Sequence, residues 1–216
     1  MAVKIDLRVV ELMASRVCHD LISPVGAIGN GLELLEDADG DLAKEALKLT
    51  GNCVRKASAL LEYFRMAYGA AGNGDALRWD SAKVLAAGIV EGGKVALSWP
   101  PAPAGMTLPP GTAKLMLNMV LLASEMLPRG GDVAVALEQR GGGIVAAATA
   151  SGRDARISDE MAATLAAGAD GIASLTAKTV HGYFTARLAE SLGDRLQVAA
   201  AQPSASVRVD DAVAAG

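Results

Sequence analysis

A seven-residue repeat of apolar side chains restricts the fold of this chain more than any other feature of its sequence. Apolar residues that recur every seven positions are typical of a helix that packs along a second helix. The repeat and two interleaved valines comprise Leu7, Ala14, Leu21, Ile28 and Leu35, with Val10 and Val17. The pattern predicts one long helix at about residues 6–36.

The following segment predicts a second helix that turns back along the first. Gly40 marks a turn, and Asp41 is placed to cap the next helix. From Leu42 to Phe64 apolar residues recur at steps of three and four, which predicts a helix at about residues 41–68 with one apolar stripe. Because two helices cannot bury their stripes alone, we expect this antiparallel hairpin to form a dimeric four-helix bundle.

Beyond a glycine-rich break at residues 68–76, the pattern changes to short apolar segments that alternate with helical ones. This alternation predicts an α/β layer domain at residues 75–216, after a helical domain at residues 1–70. The predicted strands lie at about residues 75–79, 94–99, 132–139, 143–150, 195–200 and 205–209. The predicted helices lie at about residues 81–90, 111–126, 158–167 and 174–192, and the proline-rich residues 100–111 form a loop.

Composition narrows the classes of partner. The sequence is 51% hydrophobic with a net charge of -4, and it has no dense cluster of Lys and Arg. These features argue against a nucleic acid or an anionic membrane as partner. Charges interrupt the apolar N-terminus, and no run approaches the ~20 apolar residues that span a bilayer, so we expect a cytoplasmic protein. Cys18 and Cys53 are expected to pack in the interior rather than form a disulfide or a metal site.

One histidine lies opposite the repeat. With Leu7 as heptad position a, His19 falls at position f and is predicted to be exposed. Residues at i, i+4, i+7 and i+11 share one side of a helix, and small or polar side chains there let another backbone approach. This strip consists of His19, Ser23, Gly26 and Asn30.

The first predicted helix contains a proline and several glycines, which are unfavourable inside a helix. Pro24 removes the hydrogen bond to the Asp20 carbonyl and is expected to kink the helix one turn beyond His19. Taken separately, an exposed histidine on a helix usually has no function, and the proline and glycines could mark only a poor helix. Neutral imidazole is nevertheless suited to nucleophilic attack, because one ring nitrogen can react while the other is held by a hydrogen bond.

The six residues HDLISP, His19–Pro24, resemble the phosphoacceptor motif of histidine-kinase dimerisation and phosphotransfer domains. In that motif His is followed by Glu or Asp, Leu, any residue, Thr or Ser, and Pro, and every position is matched. The resemblance implies that His19 is the nucleophile and that Asp20 orients or deprotonates its ring. It also implies that Ser23 positions a water or contacts the partner, while a solvated helix charge is the alternative for Asp20.

The second half resembles the ATP-binding domain of histidine kinases but departs from it at functional positions. Residues 115–133 are similar to the helix that reads N-L-L-x-N-A-x-K-x-T-P-x-G-G. Leu122 replaces the asparagine that helps hold magnesium, and Glu125 replaces the lysine. The residues that match the motif are Asn118, Pro128, Gly130 and Gly131.

Two further nucleotide motifs are altered. Residues 149–157 take the place of D-x-G-x-G-I, with Ala150 instead of the adenine-reading aspartate and Asp154 instead of the last glycine. No G-x-G-L pattern precedes the final long helix, where His181, interpreted as structural, and Gly182 fall instead. Loss of a cation ligand, the base reader and the phosphate loop predicts no ATP and no cofactor of its own.

A kinase-like body without these motifs is similar, over essentially the whole chain, to the ChpT-type family of alphaproteobacterial histidine phosphotransferases. The resemblance implies a phosphoryl relay from the receiver domain of a hybrid kinase, through phosphohistidine at His19, to response regulators that control the cell cycle. Magnesium is expected on the receiver, which should bind along Ser23, Gly26, Asn30 and Glu33. The alternatives are an ATP-dependent kinase with an atypical nucleotide site and a non-catalytic dimeric adaptor that binds receivers.

Overall fold

Two long helices open the chain. The structure, a computed structural model, describes residues 6–37, 39–73, 77–140, 143–201 and 204–210. Helix α1 spans Leu7–Asp37 and helix α2 spans Gly40–Ala67, and the two pack against each other as the predicted hairpin. Helix α1 remains helical across Pro24.

The prediction that Asp41 caps α2 is wrong. Helix α2 begins at Gly40, so Asp39 occupies the cap position and makes no side-chain cap hydrogen bond. The Asp41 carboxylate lies inside the first turn and accepts a hydrogen bond from Lys44 Nζ at 2.9 Å. The helix starts at Gly40, two residues before the apolar pattern begins at Leu42.

The second half is a five-stranded sheet with helices on one face, which confirms the predicted hairpin followed by an α/β layer. The sheet order is β1-β2-β3-β5-β4, with β1 and β2 parallel and the other neighbours antiparallel. The elements are α3 (Trp79–Val90), β1 (Val95–Ser98), α4 (Thr112–Glu125), β2 (Gly131–Arg140), β3 (Gly143–Ser151), α5 (Asp159–Ala167), α6 (Val180–Ser191), β4 (Gln197–Ala201) and β5 (Ser204–Asp210).

Two predicted elements differ from the structure. Of the predicted strand at 75–79, residues 75 and 76 lie outside the described part of the chain, and Trp79 already belongs to α3. Its indole packs on Trp99 and donates a hydrogen bond to the Pro100 carbonyl at 3.1 Å, so the apolar alternation serves burial rather than strand pairing. The helix predicted at 174–192 starts only at Val180, after a 3-10 helix at Gly168–Ser174.

Helix α4 lies at the centre of the molecule and joins its two halves. Every residue from Thr112 to Val120 is buried, including polar ones. The Asn118 side chain donates to the Ala67 carbonyl at 2.9 Å, and Lys114 Nζ donates to the Gly69 carbonyl at 2.9 Å. These bonds attach the end of α2 to the α/β half, so one hydrophobic core includes both.

The cysteines are both free, as expected, but only one is partly buried. Cys53 on α2 is half-buried, whereas Cys18 on α1 is exposed. The expectation of interior packing is therefore wrong for Cys18, because the first half of α1 has one face that no described element covers. Residues Leu7 and Ala14 of the seven-residue repeat are exposed for the same reason.

Candidate functional site

The imidazole of His19 projects from α1 into solvent. Its side chain is 87% exposed, in agreement with heptad position f. The half-buried members of the repeat, such as Leu21 and Ile28, lie on the other side of the same helix. Because α2 packs against that other side, the histidine is left free to meet a second protein.

Asp20 contacts the ring directly. Asp20 Oδ1 lies 3.1 Å from His19 Nδ1, and the Asp20 side chain is 33% exposed. In the neutral ring a proton on Nδ1 is donated to this carboxylate, which leaves the lone pair on Nε2. The pair therefore leaves the lone pair of Nε2 on an exposed ring.

The remaining predicted site residues share an exposed strip on α1. Ser23, Gly26, Asn30 and Glu33 are all exposed, and they follow His19 along one side of the helix. A Cβ added at Gly26 would meet no atom within 4 Å. The strip is therefore open to a partner along about four turns of helix.

A chain of charged groups runs from this site into the α/β half, and the sequence analysis did not predict it. Arg16 Nε lies 3.9 Å from Asp20 Oδ2, and an Arg16 terminal nitrogen donates to Glu125 Oε1 at the end of α4. The same Glu125 oxygen lies 3.4 Å from Nδ1 of the fully buried His181 on α6. Three helices thus contribute to one network that begins at His19.

The charges in this network stabilise one another. Burial alone would raise the pKa of Glu125, but His181 and Arg16 outweigh burial and hold the pKa below its ordinary value. Burial would lower the pKa of Arg16, but Glu125, Tyr68 and Asp20 together outweigh burial, so the pKa is raised. Burial also raises the pKa of the neighbouring Tyr68 phenol, which stays neutral. Arg16 and Glu125 are therefore a charged pair at neutral pH.

The kinase-like motif of α4 contains one signal for the role of Glu125, namely the change from a positive to a negative side chain at this position. Glu125 stands where the kinase helix has lysine, and Arg16 stands four residues before Asp20. The replacement of lysine by Glu125 gives α4 a negative side chain that can pair with the positive Arg16 of α1. No local pattern links them, because 109 positions separate the two residues.

The positions that correspond to the kinase nucleotide motifs have become part of the core or of local turns. Leu122 and Ala150 are buried, with 1% and 0% exposure. Asp154 has a left-handed backbone with a φ of 63°. Its carboxylate forms an ion pair with Arg129 Nε at 2.8 Å. Gly182 packs within α6 against Met161, and a Cβ there would clash with the methionine sulfur, so this glycine serves close helix packing.

A cavity of about 410 Å³ lies between α1, the end of α4 and the segment before α5. Its walls include Arg16 and Glu125 of the charged network and two exposed cations, Arg156 and Lys178. Across the described residues, no group of three or more His, Cys, Asp or Glu is placed to hold a metal ion. In the same part of the chain, no helix is both long and apolar enough to cross a membrane.

Comparisons with known proteins agree on one family. The sequence profile described as histidine phosphotransferase C-terminal domain matches residues 79–204, more than half of the chain. Protein phosphotransferase ChpT of Brucella abortus (strain 2308) is 38% identical over 188 residues, 87% of this chain and 88% of that protein. A solved structure described as a bacterial phosphotransferase matches with a TM-score of 0.78 and 32% identity, over 97% of this chain and 98% of that chain.

Proposed function

Because the chain belongs to the histidine phosphotransferase family, we propose that it relays a phosphoryl group between receiver domains through His19. The donor is the phosphorylated aspartate of a hybrid kinase receiver, and the acceptors are receiver aspartates of response regulators that control the cell cycle. The observation that carries this proposal is the exposed His19 imidazole with Asp20 at 3.1 Å from Nδ1. The proposed compartment is the cytoplasm.

The first step is an in-line displacement at phosphorus. His19 Nε2 attacks the phosphorus of the donor's aspartyl phosphate, a P–N bond forms, the P–O bond breaks, and the aspartate carboxylate leaves. The ring becomes cationic as its lone pair is used, and the Asp20 carboxylate beside Nδ1 stabilises that charge. Because positive charge already develops on the ring in the transition state, Asp20 stabilises the transition state more than the free ring, which is the condition for catalysis.

The second step reverses the first on another receiver. A carboxylate oxygen of the acceptor aspartate attacks the phosphohistidine, the P–N bond breaks, and the imidazole recovers its lone pair. Both steps depend mainly on positioning the reactants and on offsetting the phosphoryl charge. Magnesium in the receiver's acidic pocket is expected to supply that positive charge.

The receiver is proposed to dock on the strip Ser23, Gly26, Asn30 and Glu33. These residues are exposed, share the side of α1 that carries His19, and leave space for a backbone at Gly26. Ser23 lies one turn beyond His19 and is proposed to contact the receiver or a water beside the phosphoryl group.

The α/β half is proposed to have no nucleotide activity. Ala150 offers no carboxylate to an adenine, and Leu122 offers no ligand to a magnesium ion. Met161 fills the space beside Gly182 where a phosphate loop would be required. The protein is therefore proposed to act as a transferase that takes its phosphoryl group only from another protein.

A homodimer is proposed because the hairpin leaves a second apolar face uncovered. On α2, exposed apolar residues recur every seven positions, a spacing that places them on one side of the helix. These residues are Leu47, Val54 and Leu61. On α1 the exposed apolar residues include Ile22, Val25 and Leu32. A second hairpin would bury both sets in a four-helix bundle.

A labelled-phosphate transfer assay with two donors tests the relay. ATP alone and a phosphorylated receiver domain are each mixed with the wild type and with His19→Ala. Because His19 is 87% exposed, the substitution leaves the fold intact, and circular dichroism checks this. We expect label on the protein only from the receiver and only when His19 is present.

Each other outcome would select a different function. Label from ATP alone would overturn the proposed loss of nucleotide activity and indicate a kinase. A His19→Ala variant that still supports signalling between receivers, without carrying label, would indicate a non-catalytic adaptor.

A further inference from the structure

We propose that Glu125 is a positioning residue for phosphotransfer, acting on His19 through Arg16 and Asp20. Glu125 anchors the Arg16 guanidinium, and this anchoring leaves the Asp20 carboxylate available to the His19 ring. The inference rests on the proposed phosphoryl relay, and it gives the α/β half a role in the chemistry on α1.

The geometry shows how Arg16 is divided between two carboxylates. A terminal nitrogen of Arg16 donates to Glu125, while Arg16 Nε stays 3.9 Å from Asp20 Oδ2, beyond hydrogen-bonding distance. Arg16 Nε is buried and has no hydrogen-bond partner among the described residues. The Arg16 guanidinium therefore lies near Asp20 without forming a hydrogen bond to it.

The cause of that restraint is the anchoring of Glu125 at the end of α4. One carboxylate oxygen, Glu125 Oε1, accepts the hydrogen bond from Arg16 and also lies 3.4 Å from Nδ1 of His181. His181 is fully buried, which fixes the position of the ring that this oxygen contacts. Arg16 is itself only 12% exposed, which limits the positions its guanidinium can take.

Loss of the Glu125 charge would change what Asp20 offers to the histidine. Guanidinium groups pair strongly with carboxylates when two parallel hydrogen bonds form. Without the Glu125 charge, Arg16 would form hydrogen bonds to Asp20. The Asp20 oxygens would then be shared between Arg16 and the His19 ring. A carboxylate neutralised in this way stabilises the cationic ring less, so the transfer rate would decrease.

Other charged and titratable groups near this network do not replace Glu125. Lys94 shares a cavity with Asp20, and two tyrosines at the end of α2 and just after it adjoin Arg16. The groups that face the network from the packed elements are Tyr63 of α2, Tyr68 directly after α2, Lys94 before β1, Arg156 before α5, Lys178 before α6 and His181 within α6. None of these carries a negative charge at neutral pH, so Glu125 is the counter-charge that this set provides for Arg16.

Glu125→Gln tests the inference, because it removes the charge and keeps the shape. We expect the rate of label transfer to His19 at saturating phosphorylated receiver to fall by about tenfold, less than the roughly hundredfold that loss of a general base costs. The receiver concentration at half-maximal rate should stay unchanged, since the docking strip is intact. The NMR chemical shifts of the His19 ring nitrogens, which report the contact between Nδ1 and the Asp20 carboxylate, should change in the same variant.

A double variant separates positioning from a purely structural role. In Arg16→Met/Glu125→Gln no guanidinium remains to compete for Asp20, so the His19 ring-nitrogen shifts and the transfer rate should recover from their Glu125→Gln values. Glu190→Gln, which removes the partner of Arg187 on α6, is the matched control and should leave both quantities at wild-type values.

The outcomes that overturn the inference are distinct from failure of the relay. An unchanged rate and unchanged His19 ring-nitrogen shifts in Glu125→Gln would overturn it, as would a double variant as slow as Glu125→Gln. His19→Ala is run beside these proteins. If label persists in His19→Ala, the relay itself is wrong, whereas His19-dependent label with no effect at position 125 rejects only the role of Glu125.

Discussion

At the scale of single residues, the proposed relay sets two requirements for His19 that oppose each other. A partner must reach its ring, and the ring must keep one tautomer and orientation. Exposure of 87% meets the first requirement. Exposed charged pairs contribute only about 0.2–1 kcal/mol, so the Asp20 contact alone holds the ring weakly. Arg16, buried next to Asp20, supplies an anchored neighbour that solvent-exposed groups cannot provide.

Replacement of Gly26 by leucine tests the docking strip. We expect the transfer rate at low receiver concentration to fall at least roughly tenfold, equivalent to about 1.4 kcal/mol of binding, because the side chain would fill space assigned to the receiver. The fold should not suffer, since a Cβ at Gly26 meets no atom within 4 Å. Ala87→Leu at an exposed position of α3 is the control. A Gly26→Leu protein with wild-type transfer would contradict the docking model.

At the scale of elements, the contact between α1 and α2 depends on one close approach. A Cβ at Gly31 would clash with the Thr50 hydroxyl and lie 3.3 Å from Thr50 Cβ. That hydroxyl is held by its hydrogen bond to the Ala46 carbonyl at 2.8 Å, so it cannot easily move away. Glycine at this position therefore sets the distance between the two helices.

Gly31→Ala should accordingly destabilise the protein by about 1–3 kcal/mol, the usual cost of overpacking. Gly29→Ala, two residues earlier on the same helix, meets no atom within 4 Å and should stabilise it by up to about 1 kcal/mol. Urea unfolding of both variants measures the difference. If the two variants have the same free energy of unfolding, α1 and α2 can move apart at Gly31 without loss of stability.

The incorrect strand at 75–79 shows where local patterns are ambiguous. Leu77 and Trp79 are both buried, as alternate residues of a strand would be. Trp79 instead opens α3, where its indole packs on Trp99. Two buried positions cannot distinguish a strand from the entry to a helix, because the packing partners that decide are distant in sequence.

At the scale of the whole molecule, the Arg16–Glu125 pair joins the hairpin to the α/β half and makes that junction sensitive to pH. The folded-state pKa of Glu125 lies below the ordinary value of 4.5. Its stabilisation is therefore fully present above pH 4.5 and is lost as the pH falls through the lowered folded pKa. Glu125→Gln should reduce the free energy of unfolding at pH 7 by on the order of 1 kcal/mol.

Urea unfolding of wild type and Glu125→Gln from pH 7 downward checks the sign. The difference between them should stay constant to about pH 4.5 and shrink at lower pH. A difference that grows as the pH falls would mean that the carboxylate is destabilising in the folded state.

The assembly state is the second prediction at this scale. Val54→Lys places a charge in the uncovered apolar face of the hairpin and should convert a dimer to a monomer of 21.9 kDa in light scattering. Val84→Lys, at a 70% exposed apolar residue of α3, is the control and should remain dimeric. A wild-type protein that is already monomeric would rule out the four-helix bundle.

The sequence alone determined the parts of this protein that depend on local spacing. Helical periodicity located both long helices to within one or two residues, and five of the six predicted strands match observed ones. The HDLISP segment is identified separately from this periodicity, by its resemblance to a phosphoacceptor motif. The exposed strip beyond His19 follows from the periodicity, because neighbours on a helix surface are three or four residues apart. For the same reason, the positions of His19, Asp20, Ser23, Gly26, Asn30 and Glu33 on one helix were predictable.

Only the tertiary structure decided what surrounds His19 from outside α1. Glu125 comes within hydrogen-bonding distance of Arg16 across 109 positions, and Asn118 bonds the end of α2 from a helix 51 residues away. Such contacts leave no periodic trace in a single sequence, because they depend on how separately formed elements pack around a common core. The folding of the α/β half against the hairpin therefore determines which charges surround the exposed histidine.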